Sequence, residues 1–577
     1  MWRQLFRRRN ATPGAVSSRA VPSAARVAIE DALGRSDTRG ARALIDALPP
    51  SLTGSAWMQQ VSARAHQQAG EDAAALAAFD RALAADPADL VSLVLAGGIR
   101  RERREWKESA RLFAAALVLA PDTPGLRYNL ACVLAESGDR TAALREARLV
   151  ADGAPQLAAS GLLLGQLLEL TDEPEEAAAT YGALVAAHPQ EEAAWAGLGR
   201  ASRDCGRFAE AEHAFRRAGD EWALDLGLAR YHRGDYEGAS AVFESIVPDA
   251  PGWLESRVAL ANVRLSQGDF ASGWTGYEAR LQLTSRQWAP AVGAAWRGEP
   301  LPHGTLLVDA EQGFGDCLFA ARFLAPARCR VARLVLRCPL PLHALLRTSG
   351  VADDVVEPGA TVEADAHARL MSLPLLLGLT APAAAGAYLA VDEGLAASWC
   401  ERIRATDKPA VGLVWSGLVN APQNRYRKFD PAPLAALLKG HANLFGLQLP
   451  AAGVAACPVE VNDISPALTD FAVTAAALLA LDLVICADSA VAHLAGAIGV
   501  RACVLLPLWE DWRWKIAGRD NPWYDTVTPC RQTQPMQWED VYARLRDRVA
   551  SLPPRRVGSA PPPDGQALGA VPGLRVM

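Results

Sequence analysis

A period of 34 residues runs through the first half of the chain and narrows what that half can fold into. Phe79, Phe113, Ala147, Tyr181 and Phe215 stand at strict 34-residue steps, and after one step of 28 the series resumes with Phe243 and Tyr277. Four places before each lies a small residue: Ala75, Ser109, Ala143, Ala177, Ala211, Ala239 and Gly273. Eight places after, Pro87, Pro121, Pro155, Pro189 and Pro251 recur, the slot being unfilled only after Phe215 and Tyr277. A repeated unit of this length cannot bury its apolar face alone, so neighbours must stack. Small residues let two antiparallel helices approach closely, the aromatic fills the groove to the next unit, and proline stops the second helix. This half is expected to be an all-α solenoid.

The segments YNLACVLAESGDRTAALREA (128–147) and ANVRLSQGDFASGWTGYEARL (261–281) resemble tetratricopeptide repeats. Seven repeats start near residues 56, 90, 124, 158, 192, 220 and 254, and Ala41 and Ile45 fall in register for an eroded eighth, so the array is drawn over 22–285. The resemblance implies an extended surface that holds a partner protein or an acceptor. The other reading is an array that only spaces or dimerises the second half. Cys205, Trp195 and Trp222 read as packing residues.

From about Gly304 the pattern changes. Short apolar runs at 305–309, 334–336, 411–415, 444–447, 483–486 and 503–506 alternate with helical stretches around 340–347, 431–439, 469–480, 489–498 and 537–551. Such alternation predicts doubly wound parallel sheets. After a linker (286–303), two Rossmann-like lobes are expected, 304–400 and 401–552, with a cleft between them. Ligands of such sheets bind beyond the carboxyl ends of the strands.

Two turns fall at those ends. After the first strand, Gly313 and Gly315 allow a tight turn and close backbone approach, and Asp316 can cap the following helix. After a strand of the second lobe, Asp488 is placed as a helix cap, and Ser489 with the first free amides forms an anion site suited to a diphosphate. His493, five residues on, can face the same mouth. Plain capping by Asp316 and an interior, satisfied His493 remain open alternatives.

Together AEQGFGDCLFAARFL (310–324), GLVWSG (412–417), DFAVTAAALLALDLVICADSAVAHLAGAIG (470–499) and LWEDWRW (508–514) resemble the glycosyltransferase-like domain of bacterial tetratricopeptide-repeat proteins. That domain is similar to the heptosyltransferases that build lipopolysaccharide core. The resemblance implies a two-lobed GT-B fold and a metal-independent, inverting transferase with no cofactor, whose nucleotide-sugar donor sits mainly on the second lobe. It implies Asp316 as the general base, and Asp488, Ser489 and His493 match its donor-binding segment. With the turn glycines Gly313 and Gly315, the donor set is completed by Ser416 and Gly417 of the WSG turn, Arg425, Arg427 and Lys428 of the next loop, and Gln448. The chain departs from the family in that loop (418–430): a histidine is absent, with Gln423 and Asn424 nearby, and no lysine follows Gln448-Leu449. Weakened leaving-group stabilisation, or a domain that has lost activity, is the corresponding alternative. Trp509, Trp512 and Trp514 are expected to pack the lobe's outer face. Asp353-Asp354 precedes a strand instead of following one, which disfavours a metal-dependent site.

Composition excludes several classes. Lys plus Arg total 58 against 64 Asp plus Glu, a net charge of −6, so there is no overall footprint for nucleic acid. The ten cysteines form no CxxC pair, which suits a reducing, cytoplasmic setting. The longest uncharged run, 370–391, is interrupted by Pro374, Gly378, Pro382 and Gly386, so a transmembrane span is not expected. Residues 1–21 read as a basic flexible tail and 553–577 as a disordered proline-rich one. Two functions remain: a cytoplasmic glycosyltransferase whose repeats recruit a protein or glycan acceptor or a partner protein, or a non-catalytic repeat scaffold with a degenerate transferase-like half.

Overall fold

The computed structural model describes residues 22–49, 52, 54–283, 293–382, 386–404, 408–417, 424–449, 454–509, 511–516 and 519–553. The expected tails apart from residue 553, residues 286–292 of the expected linker, and Gln423 lie outside them. The chain forms two compact units, 1–197 and 198–577.

Among the described residues, the regular structure of the first unit is all helical. Four antiparallel pairs follow the sequence register: Ala56–Gln68 with Asp72–Ala85, Leu90–Glu102 with Trp106–Leu119, Pro124–Glu136 with Arg140–Gly153, and Ala158–Leu170 with Pro174–Ala187. The eroded first repeat is a real pair, Ser23–Gly34 with Thr38–Asp46, on which Ala41 is fully buried. The small register residues Ala75, Ser109, Ala143 and Ala177 have no exposed surface, and Phe79 and Tyr181 have none either. Tyr181 shows how the aromatic works. A Cβ added at Gly165 of its own repeat or at Gly197 of the next would lie 2.4 Å from its ring, so the ring fills a groove that only glycines leave wide enough.

One register was hidden from sequence. The turn between paired helices needs a residue in the left-handed region, and Gly70, Gly138, Gly206, Gly234 and Gly268 supply it. Ser36, Arg104 and Asp172 occupy the same turn at φ of 60°, 61° and 62° without being glycine. Counting Glu192–Asp204 with Phe208–Ala218, the eight helix pairs among the described residues therefore share one turn.

In the second unit the helical pairs continue with Ala223–His232 and Tyr236–Ser245, then Trp253–Ser266 and Phe270–Tyr277. Two parallel sheets follow. The first has five strands in the order β1 (Ala294–Ala295), β5 (Ala366–Arg369), β2 (Leu301–Asp309), β3 (Val331–Arg337) and β4 (Asp354–Val356). The second has six: β13 (Val527–Arg531), β10 (Ala502–Leu506), β9 (Leu483–Ala487), β6 (Ala410–Val414), β7 (Asn443–Gly446) and β8 (Asn462–Asp463). The strand-like runs read from sequence are β2, β3, β6, β7, β9 and β10. β9 and β10 are buried on both faces and so read as continuous apolar runs. A small antiparallel ribbon, β11 (Lys515–Ile516) with β12 (Arg519–Asp520), lies outside both sheets.

The last helical pair does not stand apart from the sheets. Phe270, Trp274 and Tyr277 share a single apolar core with Leu306 and Val308 of β2, Phe319, Trp512 and Trp523. A buried ion network reinforces this junction: Arg280 donates to Glu311 at 2.5 Å, to Glu278 at 2.6 Å and to Ser372 at 2.9 Å. No helix among the described residues is long and apolar enough to cross a membrane.

Candidate functional site

The first expected turn leaves β2 at Asp309 and enters the helix Phe314–Ala320. It passes through Gln312, whose φ of 65° is costly for a residue with a side chain. The Tyr277 hydroxyl steadies it, receiving a hydrogen bond from Gln312 Nε2 at 3.1 Å. Asp316 lies in the first turn of the helix, about one quarter exposed. Its Oδ2 is 3.4 Å from the Gly313 amide, a long capping contact, and its Oδ1 accepts from Arg513 Nη2 at 2.8 Å.

The second turn leaves β9 and enters the helix Ala490–Ala497. The cap differs from expectation. Ser489, in extended conformation, occupies the N-cap position, and the Asp488 carboxylate points elsewhere. It accepts from Trp514 Nε1 at 3.0 Å and pairs with Arg427 Nε at 3.1 Å. The Arg427 guanidinium is a stronger partner for a buried carboxylate than the backbone amides it was expected to cap. Ser489 Oγ is buried and has no hydrogen-bond partner among the described residues.

The two turns meet. A Cβ built on Gly315 would sit 3.1 Å from His493 Cδ2 and 3.4 Å from Ala490 Cα, so glycine at 315 permits this close approach of the two helix starts. His493 is buried at 5% exposure, its ring stacked on Trp514 at 4.9 Å and edge-on to Phe319 at 5.7 Å. His493 Nδ1 lies 3.0 Å from the Tyr524 hydroxyl. Burial, with the Arg513 charge adding to it, pushes the imidazole down to about 3, so the ring is neutral at ordinary pH.

The WSG turn is also drawn in. Gln448 Oε1 accepts from the Trp415 and Ser416 amides at 3.1 and 2.8 Å. Buried Asn424 accepts from the Gly417 amide at 3.0 Å and donates to Ser416 Oγ at 3.1 Å. Gly417 in turn faces the Asp488 carbonyl, 3.4 Å from where a Cβ would stand. Ser416, Gly417, Gln448, Asp488 and Ser489 therefore form one polar cluster at the strand ends of the second sheet.

The basic loop residues divide. Arg427 joins the cluster through Asp488. Arg425 turns to the repeats, pairing with Asp204 at 2.7 Å, and the Tyr426 hydroxyl donates to the Arg203 carbonyl at 3.2 Å. Lys428 is exposed.

Several site residues were not singled out from sequence. Arg513 lies at the centre: besides Asp316 it contacts Asp511 at 3.3 Å and Tyr277 at 3.4 Å, and its guanidinium lies over the Trp512 ring at 4.2 Å. Burial opposes the charge of Arg513, but Asp511, Asp316 and Tyr277 outweigh it and hold the guanidinium protonated. Trp512 and Trp514 do not pack an outer face. Both are fully buried: the last repeat covers Trp512 with Trp274 at 5.2 Å and accepts its indole N–H on Asn262 at 3.1 Å, while Trp514 stacks on His493. Among the described residues, no group of three or more His, Cys, Asp or Glu is arranged to hold a metal ion.

No known family model matches the chain. The protein FlbA of Caulobacter vibrioides is 25% identical over 543 residues, which cover 86% of this chain and 85% of that protein. Among solved structures, PilF of Pseudomonas aeruginosa is 19% identical with a TM-score of 0.29, covering 34% of this chain and 90% of that one. YrrB, described as a tetratricopeptide-repeat protein with an unusual peptide-binding site, is 19% identical with a TM-score of 0.28, covering 33% of this chain and 90% of its own. MamA of Desulfovibrio magneticus RS-1 is 15% identical with a TM-score of 0.28, covering 30% of this chain and 99% of its own.

Proposed function

We propose that the chain is a metal-independent, inverting glycosyltransferase of GT-B type. Its two sheets are the two lobes, and its repeats recruit a protein or glycan acceptor or a partner protein. One observation carries this reading: two turns, each at the carboxyl end of a parallel strand, are brought together at Gly315 and His493, 178 residues apart in sequence. The nucleotide-sugar donor is assigned to the cluster of Ser416, Gly417, Gln448, Asp488 and Ser489, with Arg427 beside it. The acceptor hydroxyl gives its proton to Asp316. Its oxygen bonds to the anomeric carbon as the bond to the diphosphate breaks, and the electron pair leaves with the diphosphate. The polar and neutral character of His493 suits a hydrogen-bonding wall better than a proton carrier.

A second reading has its own support. Asp316, Arg425 and Arg427 already have charged partners in Arg513, Asp204 and Asp488, the condition expected of a scaffold whose transferase half is degenerate. Titration of the full chain with UDP, GDP, ADP and CMP by calorimetry separates the two. Selective binding of one nucleotide, retained in Asp316→Asn while sugar transfer is lost, is the expected result. Failure of all four to bind refutes the transferase reading in favour of the scaffold.

A further inference from the structure

The Arg513–Asp316 pair poses a difficulty for the proposed base. Asp316 Oδ1 is already taken by the Arg513 guanidinium at 2.8 Å and Oδ2 faces the Gly313 amide at 3.4 Å, so an incoming hydroxyl finds the lone pair it needs engaged. The site must therefore release Asp316 before it can act, and the structure contains the means.

Arg513 is held in a way that allows an exchange of partner. Its side chain is 15% exposed, and its plane is set by the Trp512 ring beneath it. Trp512 is itself locked by Asn262 and Trp274. Nη1 rests on Asp511 through long contacts of 3.3 and 3.5 Å, while Nη2 serves Asp316 and, at 3.4 Å, the Tyr277 hydroxyl. Asp511 balances the guanidinium charge whichever other anion it holds. A guanidinium has five N–H donors in a fixed fork that matches phosphate oxygens, and a diphosphate carries more charge than one carboxylate. The loop cations that would otherwise meet a diphosphate are engaged, Arg425 by Asp204 and Arg427 by Asp488.

We propose that Arg513 is the diphosphate-binding cation of this site and a switch for Asp316: the donor's diphosphate draws the guanidinium off the carboxylate, which becomes the base only once donor is bound. Donor binding then precedes productive acceptor binding. This inference rests on the transferase reading and assigns it a residue and an order of events. Arg513 takes the role left open by the histidine absent from the 418–430 loop and the lysine absent after Gln448-Leu449.

The test uses the full chain and inorganic pyrophosphate as probe, read by calorimetry on wild type, Asp316→Asn, Arg513→Gln and the double variant. Removing the competing carboxylate is expected to tighten pyrophosphate by about tenfold, since one charge-assisted hydrogen bond is no longer given up. Arg513→Gln is expected to lose binding, and Asp316→Asn to bring no gain in that background. A structural role alone does not produce a gain of affinity on deleting a polar group. The proposal is overturned if Asp316→Asn leaves the affinity unchanged, or if the gain persists without Arg513, which would mark simple charge repulsion. Where Arg513→Gln does not fold, Arg513→Lys keeps a charge without the fork, and a full tenfold gain in that background overturns the proposal equally. Nucleotide affinity that is indifferent to Arg513 removes this inference and leaves the transferase reading standing. Absence of both nucleotide and pyrophosphate binding in every variant removes both.

Discussion

His493 makes the second unit acid-sensitive in a way that can be isolated. The ring is buried against Trp514 and Phe319, and its folded-state value of about 3 lies far below the ordinary 6.5. Between those two values the unfolded chain binds a proton that the folded chain refuses, so stability falls as pH is lowered through that window. One proton difference costs about 1.4 kcal/mol per pH unit, so going from pH 6.5 to 5.0 removes about 2 kcal/mol through this side chain alone. His232, also pushed down to about 3 by burial and then by Arg203, acts in the same direction. The assay is urea unfolding at pH 7.5 and 5.0, followed by tryptophan fluorescence, on wild type and His493→Gln. At pH 7.5 the variant is less stable, having lost the Tyr524 contact and the stacking. At pH 5.0 the gap narrows by about 2 kcal/mol, because glutamine does not titrate, while His232 still gives the variant some slope. A gap that is the same at both pH values would refute the argument that the imidazole is buried in its neutral form.

Two further outcomes are expected from unfolding experiments. Arg104→Gly relieves a left-handed residue at an exposed turn, where glycine is the usual occupant in this register, and should stabilise the first unit by about 1 kcal/mol; a destabilised variant would mean the side chain has a role beyond the turn. Arg280→Met leaves Glu311, 3% exposed, without its cation and should cost about 3–5 kcal/mol, whereas adding Glu311→Gln should restore much of the loss. Equal stability of the single and double variants would remove the ion network from the account of how repeat and sheet are joined.

Much of the architecture was legible because it is periodic. The 34-residue spacing of aromatic and small residues follows directly from stacked helix pairs, and the apolar runs follow from strands buried on both faces. What escaped was whatever lacks a period or a long run. β5 reads Ala-His-Ala-Arg, polar at every second place, and β1 and β8 have two residues each. The shared turn was hidden because three of its eight occupants accept a strained backbone instead of being glycine. The first helix pair was visible only through Ala41 and Ile45, yet Ser36 places it in the same turn register.

The site was legible where function rides on local geometry and illegible where it depends on distant contacts. Asp316, Ser489 and His493 follow strands and begin helices, a pattern that sequence displays. Arg513 sits in a tryptophan-rich segment with no helix or long strand of its own, and only the covering repeat explains why that segment is buried. Tyr277 was read correctly as the aromatic of the last repeat, and its ring packs edge-on against Trp274 and Trp512. Nothing in that register distinguishes a hydroxyl that packs from one that holds Gln312 and meets Arg513. A position that phenylalanine fills in other repeats thus carries, in the last one, an atom that belongs to the site. The repeat array and the strand-end turns are therefore not separable modules at this junction. Removing the last helical pair would uncover Trp512 and leave Arg513 without the surroundings that aim it at Asp316.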